Sequence, residues 1–150
     1  MLALMFLGCS VFAPFDGTWF FSFERASTAS GDCAGNDTGG ADYEYTGTND
    51  AELDMYSTAD GQLVVLLGEA LVGTPEGNAF EVSRKTTDSS GKSEYSHEAV
   101  LSGTLEGPAL SGDYAITDDS SDGKDSYSCT STTGYTAVKM TTSPDQLAGH

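Results

Sequence analysis

A repeat of about thirty residues constrains the fold of this chain more than any other feature of its sequence. Residues 71–80 (LVGTPEGNAF) and 101–110 (LSGTLEGPAL) are identical at six of ten positions, at an offset of thirty. The preceding turn segments correspond as well, since Asp60-Gly61-Gln62 aligns with Ser90-Gly91-Lys92 and, after a small insertion, with Asp122-Gly123-Lys124. Each unit predicts a turn, a long strand, a second turn and another strand. The series is too short for a solenoid or propeller and indicates a meander of β-hairpins.

The first strand of this meander is predicted from an aromatic segment near the N-terminus. Residues 16–23 (DGTWFFSF) hold the single tryptophan of the chain and three of its seven phenylalanines. Trp19, Phe21 and Phe23 stand at alternate positions, and a strand directs alternate side chains to opposite faces. The pattern predicts a strand over residues 17–26 with an apolar inner face, followed by a long polar loop over 27–41.

Further runs of β-favouring residues, separated by glycine and serine, predict seven more strands. They are expected over residues 52–58, 62–74, 79–87, 93–105, 109–118, 125–132 and 135–141. The long strand over 62–74 is expected to bend at Gly68, and residues 43–46 form a strand or a lead-in to one. The chain is therefore expected to be all-β, an eight-stranded antiparallel up-and-down barrel, because closure removes exposed strand edges. A β-sandwich is the alternative.

The charge of the chain restricts its partners. It carries 23 acidic and 6 basic residues, a net charge of −17 over 150 residues. This field repels phosphate backbones, so nucleic acid is excluded as a partner. The acidic surface favours solubility, and attraction of cations or basic ligands is the functional alternative. The length fits one domain, which is expected to be a monomer.

The N-terminus indicates export. Residues 1–9 are apolar up to a cysteine and too short to span a bilayer, as in the apolar region of a signal peptide. Phe6-Leu7-Gly8-Cys9 resembles the lipobox of bacterial lipoproteins, which are cut before the cysteine and carry a diacylglycerol on its thiol. The resemblance implies a lipid anchor on Cys9 in the bacterial cell envelope. Ser10 resembles an outer-membrane sorting signal, so the outer membrane or cell surface is expected. A chance cysteine in an apolar strand is the alternative.

The predicted export signal and lipid anchor divide the chain into four parts. They are a signal-peptide remnant (1–8), the lipidated cysteine with a short tether (9–15), the barrel domain (16–141) and a flexible tail (142–150). If Cys9 is lipidated, Cys33 and Cys129 remain as a pair, and an exported protein can keep them as a disulfide. Such a bridge closes a long loop and would stabilise the fold by about 4 to 5 kcal/mol in the chain-entropy model. Two free thiols are the alternative.

Three residues of the first strand carry a second resemblance. Gly17-Thr18-Trp19 resembles the Gly-x-Trp signature of lipocalins, and residues 101–107 and 110–114 are similar to segments of small bacterial lipocalin-like lipoproteins. Lipocalins are eight-stranded barrels that bind small apolar ligands in the mouth. The resemblance implies that Trp19 closes one end of the barrel, that Lys139 packs over Trp19, and that a ligand site lies at the opposite end.

A small apolar or amphipathic ligand is therefore the expected partner. The residues expected to line its cavity are inward-facing positions of the predicted strands: Leu63, Val65, Phe80, Tyr114 and Ile116. The alternative function is that of a structural or interaction lipoprotein of the cell envelope, whose barrel is packed and holds no ligand.

Chemistry beyond binding has little support in the sequence. In residues 118–125 (DDSSDGKD) the carboxylates of Asp118, Asp122 and Asp125 could hold Ca²⁺, but an ordinary acidic turn is favoured and no cofactor is expected. His97 is expected to be a structural strand residue, because no second histidine or nearby cysteine shares its spacing. Hydrolase, phosphate-binding, dinucleotide and zinc motifs are absent, so we do not expect an enzyme.

Overall fold

The protein folds as a closed antiparallel β-barrel, in a computed structural model that describes residues 13–33 and 50–140. Its strands are β1 (Gly17–Gly31), β2 (Asp50–Ser57), β3 (Leu63–Leu67), β4 (Glu69–Gly73), β5 (Ala79–Ser90), β6 (Ser93–Glu106), β7 (Ala109–Ser121) and β8 (Ser126–Lys139). Each strand pairs with the next, and β1 also pairs with β8, which closes the sheet. The predicted eight-stranded barrel is confirmed, and the sandwich alternative is excluded.

Three predicted features fall on other parts of the chain. Cys9, residues 43–46 and residues 142–150 lie outside the described residues. Within the two described ranges, no helix is long and apolar enough to cross a membrane.

The number of strands is predicted correctly, but the division of residues 62–74 is wrong. These residues form the β3–β4 hairpin and not one bent strand, since Leu67 pairs with Glu69. Gly68 lies in the turn between them with φ of 66°, a conformation that glycine adopts without strain. The glycine was expected to bend a strand, and it reverses the chain instead.

Two other strand boundaries also differ from the prediction. Residues 125–132 and 135–141 were expected as separate strands, but one strand, β8, covers 14 residues here. It is continuous because β7 and β1 pair with it on either side and hold it extended. The first strand continues to Gly31, so the loop expected over 27–41 starts later than predicted.

The thirty-residue repeat corresponds to equivalent positions in the barrel. Leu71 and Leu101 are both buried in the core. Gly77 and Gly107, which also match, both turn the chain with φ of 60°. The copies differ in one respect, because the long strand of the unit is folded back as β3 and β4 in the first copy and is the single strand β6 in the second.

The two ends of the barrel are different. The end at which β1, β3, β5 and β7 begin holds Trp19, and we call it the Trp19 end. The opposite end, formed by the end of β1 and the β3–β4, β5–β6 and β7–β8 turns, is called the mouth. Strands β5 to β8 have 12 to 14 residues, whereas β3 and β4 have five each. The mouth therefore has a high side, made by β5 to β8, and a low side at the β3–β4 turn.

Two glycines allow an aromatic ring to lie across the sheet in the middle of the barrel. Gly103 in β6 pairs with Gly112 in β7, which pairs with Tyr135 in β8. The Tyr135 side chain reaches across β7, and its hydroxyl donates a 2.8 Å hydrogen bond to the carbonyl oxygen of Ser102. Burial raises the pKa of Tyr135 above its ordinary value, and the negative charge of Asp113 raises it further.

We expect Gly103→Ala to destabilise the barrel by roughly 2 to 3 kcal/mol, because the added carbon has no space. A β-carbon at Gly103 would overlap the Tyr135 hydroxyl and lie 2.9 Å from Cε1 of Phe80. Urea unfolding followed by circular dichroism measures the loss. In a Tyr135→Phe background the same substitution should cost less, because the overlapping oxygen is gone. An equal cost in both backgrounds would contradict this account.

Candidate functional site

The five residues expected to line a cavity are packed together in the core. Each is buried: Leu63 and Val65 are fully inaccessible and Phe80, Tyr114 and Ile116 are no more than 4% exposed. Leu63 and Phe80 are the first and second residues of their strands at the Trp19 end, where Phe15 packs edge-on against Phe80 with ring centroids 5.2 Å apart. Of the five, only Tyr114 lines the cleft at the mouth.

The cleft at the mouth, which we call the mouth cleft, has a volume of about 590 Å³. Its floor is apolar, because Leu71, Ala99 and Tyr114 are buried residues of the core. Its low side is the β3–β4 turn, and its high side carries polar groups. The lining residues outside the floor are Leu67, Gly68, Glu69, Thr86, Tyr95 and His97. An apolar floor with polar groups on one side is the usual composition of a small-molecule site.

A hydrogen-bonded group of three side chains lies on the high side of the mouth cleft. His97 in β6 is directly opposite Asp118 in β7, and its Nδ1 lies 2.7 Å from Asp118 Oδ1. The Tyr95 hydroxyl donates a 2.7 Å hydrogen bond to the same carboxylate oxygen. One carboxylate thus fixes the orientation of an imidazole and a phenol beside the cleft. The Asp118 side chain remains 32% exposed and lies beside the two residues of the group that line the cleft, Tyr95 and His97.

The sequence prediction missed this group, although its position was deducible. The β6–β7 hairpin turns at Gly107-Pro108, so Glu106 pairs with Ala109. Counting back from that pair places His97 opposite Asp118. Neither residue is distinctive alone; the two-residue turn is the signal that joins them.

A second cleft, of about 390 Å³, adjoins the first at Tyr95 and extends towards the tips of the β5–β6 and β7–β8 hairpins. Asp88, Tyr95, Ser120 and Tyr127 form one row across the four strands of the high side. They face the same side of the sheet as the core residues, because each lies an even number of positions from a buried residue of its strand. We call this second cleft the tip cleft.

The three aspartates considered for Ca²⁺ have different surroundings. Asp118 accepts from Tyr95 and contacts His97. Asp122 Oδ1 accepts backbone N–H bonds from Lys124 and Asp125, at 2.9 and 2.8 Å. The bonds from Asp125 and Lys124 lower the pKa of Asp122 below its ordinary value. In the part of the chain that the structure describes, no group of three or more His, Cys, Asp or Glu residues is arranged to hold a metal ion.

The two internal cysteines lie beside the mouth. Cys33 and Cys129 are at disulfide-bonding distance, with 4.9 Å between their Cα atoms. Gly31, at the end of β1, pairs with Cys129 in β8, and Cys129 pairs with Asp118 on its other side. The pair therefore joins the first and last strands next to the mouth cleft.

The Trp19 end is filled by side chains. Trp19 is 1% exposed, and its Nε1 donates a 2.8 Å hydrogen bond to the carbonyl oxygen of Phe15. Lys139, which pairs with Trp19, places Nζ 5.5 Å from the centroid of its ring. The same Nζ donates to the carbonyl oxygen of Pro14 at 3.4 Å. Lys139 thus packs over Trp19 as the resemblance implies.

The barrel, its filled Trp19 end and the two clefts at the mouth can be compared with known proteins. No protein-family model, curated protein or solved structure matches this chain.

Proposed function

We propose that this protein binds a small amphipathic ligand in the mouth cleft. We further propose that a lipid anchor on Cys9 holds it in the bacterial cell envelope, at the outer membrane or cell surface. The binding proposal rests on one observation: a single cleft of about 590 Å³ combines an apolar floor with polar groups on one side. Small-molecule sites commonly have roughly 300 to 1,000 Å³.

The depth of the cleft limits the apolar part of the ligand. The Tyr114 ring of the floor packs against Phe23, with 6.4 Å between the ring centroids, and Phe23 packs against Tyr135 at 5.8 Å. A ligand rests on these rings and does not pass between them, because protein cores are close-packed. The proposed ligand is therefore short, with its apolar end on Leu71 and Ala99 and its polar end towards His97.

The packed interior supports a second candidate function. A barrel filled from Trp19 to Ile116 can serve as a structural or interaction module that takes no ligand. Saturable binding at the mouth distinguishes the two functions, because a structural module has no site to saturate.

We expect the uncharged fluorescent probe N-phenyl-1-naphthylamine to bind saturably and Thr86→Trp to weaken this binding at least tenfold, since the new ring fills the cleft. Thr86 is exposed and lines the cleft, so the substitution leaves the core intact. Ser83→Trp is the matched control, because Ser83 is exposed on the opposite face of β5 and should leave affinity unchanged. Equal effects of the two variants, or no saturable binding, would overturn the binding proposal.

The anchor is tested separately. Expressed in a bacterial host, the protein should fractionate with membranes, and mass spectrometry should find a diacylglycerol on an N-terminal Cys9. Cys9→Ser should abolish the modification and release the protein from the membrane fraction. A mature protein with an unmodified Met1 would contradict the anchor and leave the binding proposal untouched.

A further inference from the structure

We propose that the ligand of the mouth cleft is an organic cation, whose ammonium or guanidinium end lies against the ring face of Tyr95, beside the carboxylates of Asp88 and Asp118. This inference rests on the proposed function and specifies the charge of the ligand. The order of side chains on the high side, the aromatic faces and the distribution of charge around the two clefts are three separate observations that support it.

The first observation is the order of side chains on the high side of the mouth. Thr86, His97 and Asp118 form the row nearest the floor, and Asp88, Tyr95, Ser120 and Tyr127 form the next row out. A ligand that leaves the apolar floor therefore passes Thr86 and His97, which share their row with Asp118, and then reaches Tyr95 and Asp88. The cleft provides the binding site, and the carboxylates beside it determine which ligand charge is favoured.

The second observation is the exposure of aromatic faces. Tyr95 is 46% exposed, and its hydroxyl is held by Asp118. Tyr127 lies two strands from Tyr95, across Ser120, which separates the two residues by about 10 Å at the usual strand spacing. Phenol faces attract ammonium and guanidinium groups, and a nearby carboxylate adds to this attraction.

The third observation is the sign of the charged side chains that line the two clefts. Among the described residues, neither the mouth cleft nor the tip cleft is lined by lysine or arginine. The carboxylates that line them are those of Glu69, Asp88, Glu94, Asp122 and Asp125. Arg84 neutralises Glu69 at the low side, with 2.8 Å between Nε and Oε2. Because Arg84 is already paired with Glu69, an anionic end would meet mainly carboxylates, and the net charge of −17 also repels it.

The backbone of the β7–β8 turn orients one of these carboxylates, that of Asp122. Asp122 accepts two N–H bonds from its own turn, and these lower its pKa, so the carboxylate stays ionised into the acidic range. Asp118 is fixed by Tyr95 and His97 before any ligand arrives. Charges that are already oriented lose little entropy on binding.

Three amphiphiles with the same tail test the sign of the charge. Octyltrimethylammonium, octyl glucoside and octyl sulfate, each below its micelle concentration, are titrated by calorimetry and by displacement of N-phenyl-1-naphthylamine. We expect the cation to bind at least about tenfold more tightly than the anion, and to lose about threefold or more between about 0.02 and 0.5 M NaCl. Octyl glucoside should fall between them and show no salt dependence.

Charge-removing variants locate the effect. Asp88→Asn and Asp118→Asn should each weaken the cation about fivefold and leave octyl glucoside unchanged. Glu81→Gln removes the same charge from the outer face of β5, where the side chain is exposed, and should have no effect. If all three variants behave alike, or if the anion binds as well as the cation, the cation proposal is wrong while the mouth cleft remains a binding site. If none of the probes binds, the proposed function itself fails.

Discussion

Removing the disulfide between Cys33 and Cys129 is expected to lower the free energy of unfolding by about 4 to 5 kcal/mol, because the bond restricts a loop of nearly a hundred residues in the unfolded chain. The two cysteines are 96 positions apart. In a domain of this size the melting temperature should fall by about 15 °C. Calorimetry of the oxidised protein and of the Cys33→Ser/Cys129→Ser double variant measures both quantities.

The loss should be concentrated at the mouth. Asp32 donates its N–H to the Ser128 carbonyl at 2.7 Å, and Ser128 donates back to Asp32 Oδ2 at 3.1 Å, so these bonds depend on the same link. Hydrogen exchange should speed up near Ser128 and remain slow around Trp19. A reducing agent should lower the melting temperature of the natural protein and leave the double variant unchanged. Equal stability of the oxidised protein and the variant would contradict the pairing.

Trp19→Ala is expected to cost about 3 to 5 kcal/mol, the range for removing a large buried ring. Trp19 is 1% exposed, and its Nε1 donates a 2.8 Å hydrogen bond to the carbonyl oxygen of Phe15. Its loss leaves a cavity beneath Phe15 and removes the surface on which Lys139 packs. Chemical unfolding followed by circular dichroism is the measurement, since the variant has no tryptophan to observe.

Two further variants separate packing from the hydrogen bond. Trp19→Phe keeps most of the ring and loses the donor, so it should cost less than the alanine variant. Phe20→Ala changes the adjacent residue of β1, whose side chain points outward and is 37% exposed, and it should cost no more than about 1 kcal/mol. Similar losses in Trp19→Ala and Phe20→Ala would show that Trp19 does not close this end.

The fold could be predicted where one face of a strand is polar. Residues 18–23 alternate except at Phe20, which stands on the outer face, and the first strand starts where it was expected. The error at β3 has a physical cause, because Leu63, Val64 and Val65 are all buried and a run that is apolar on both faces does not show its period. Gly68 is compatible with a bend or with a reversal, and only the pairing of Leu67 with Glu69 decides between them.

The candidate site was harder to predict than the fold. Alternation correctly assigned Leu63, Val65 and Ile116 to the interior, but it does not tell whether an interior is filled. Filling depends on how side chains of unpaired strands meet, as Phe23 of β1 and Tyr114 of β7 do with 6.4 Å between ring centroids. His97 was judged from its sequence neighbours, whereas its partner lies across a hairpin in β7.

The closure of the barrel involves one non-local step. Every pairing joins strands that follow each other in the chain, except that between β1 and β8. The Cys33–Cys129 link lies at this same seam, beside the pair of Gly31 with Cys129. The covalent bond and the last hydrogen-bonded ladder thus close one and the same loop. In the oxidised chain the entropy of that closure is already lost before the sheet forms, so the remaining search brings together only segments that are near neighbours.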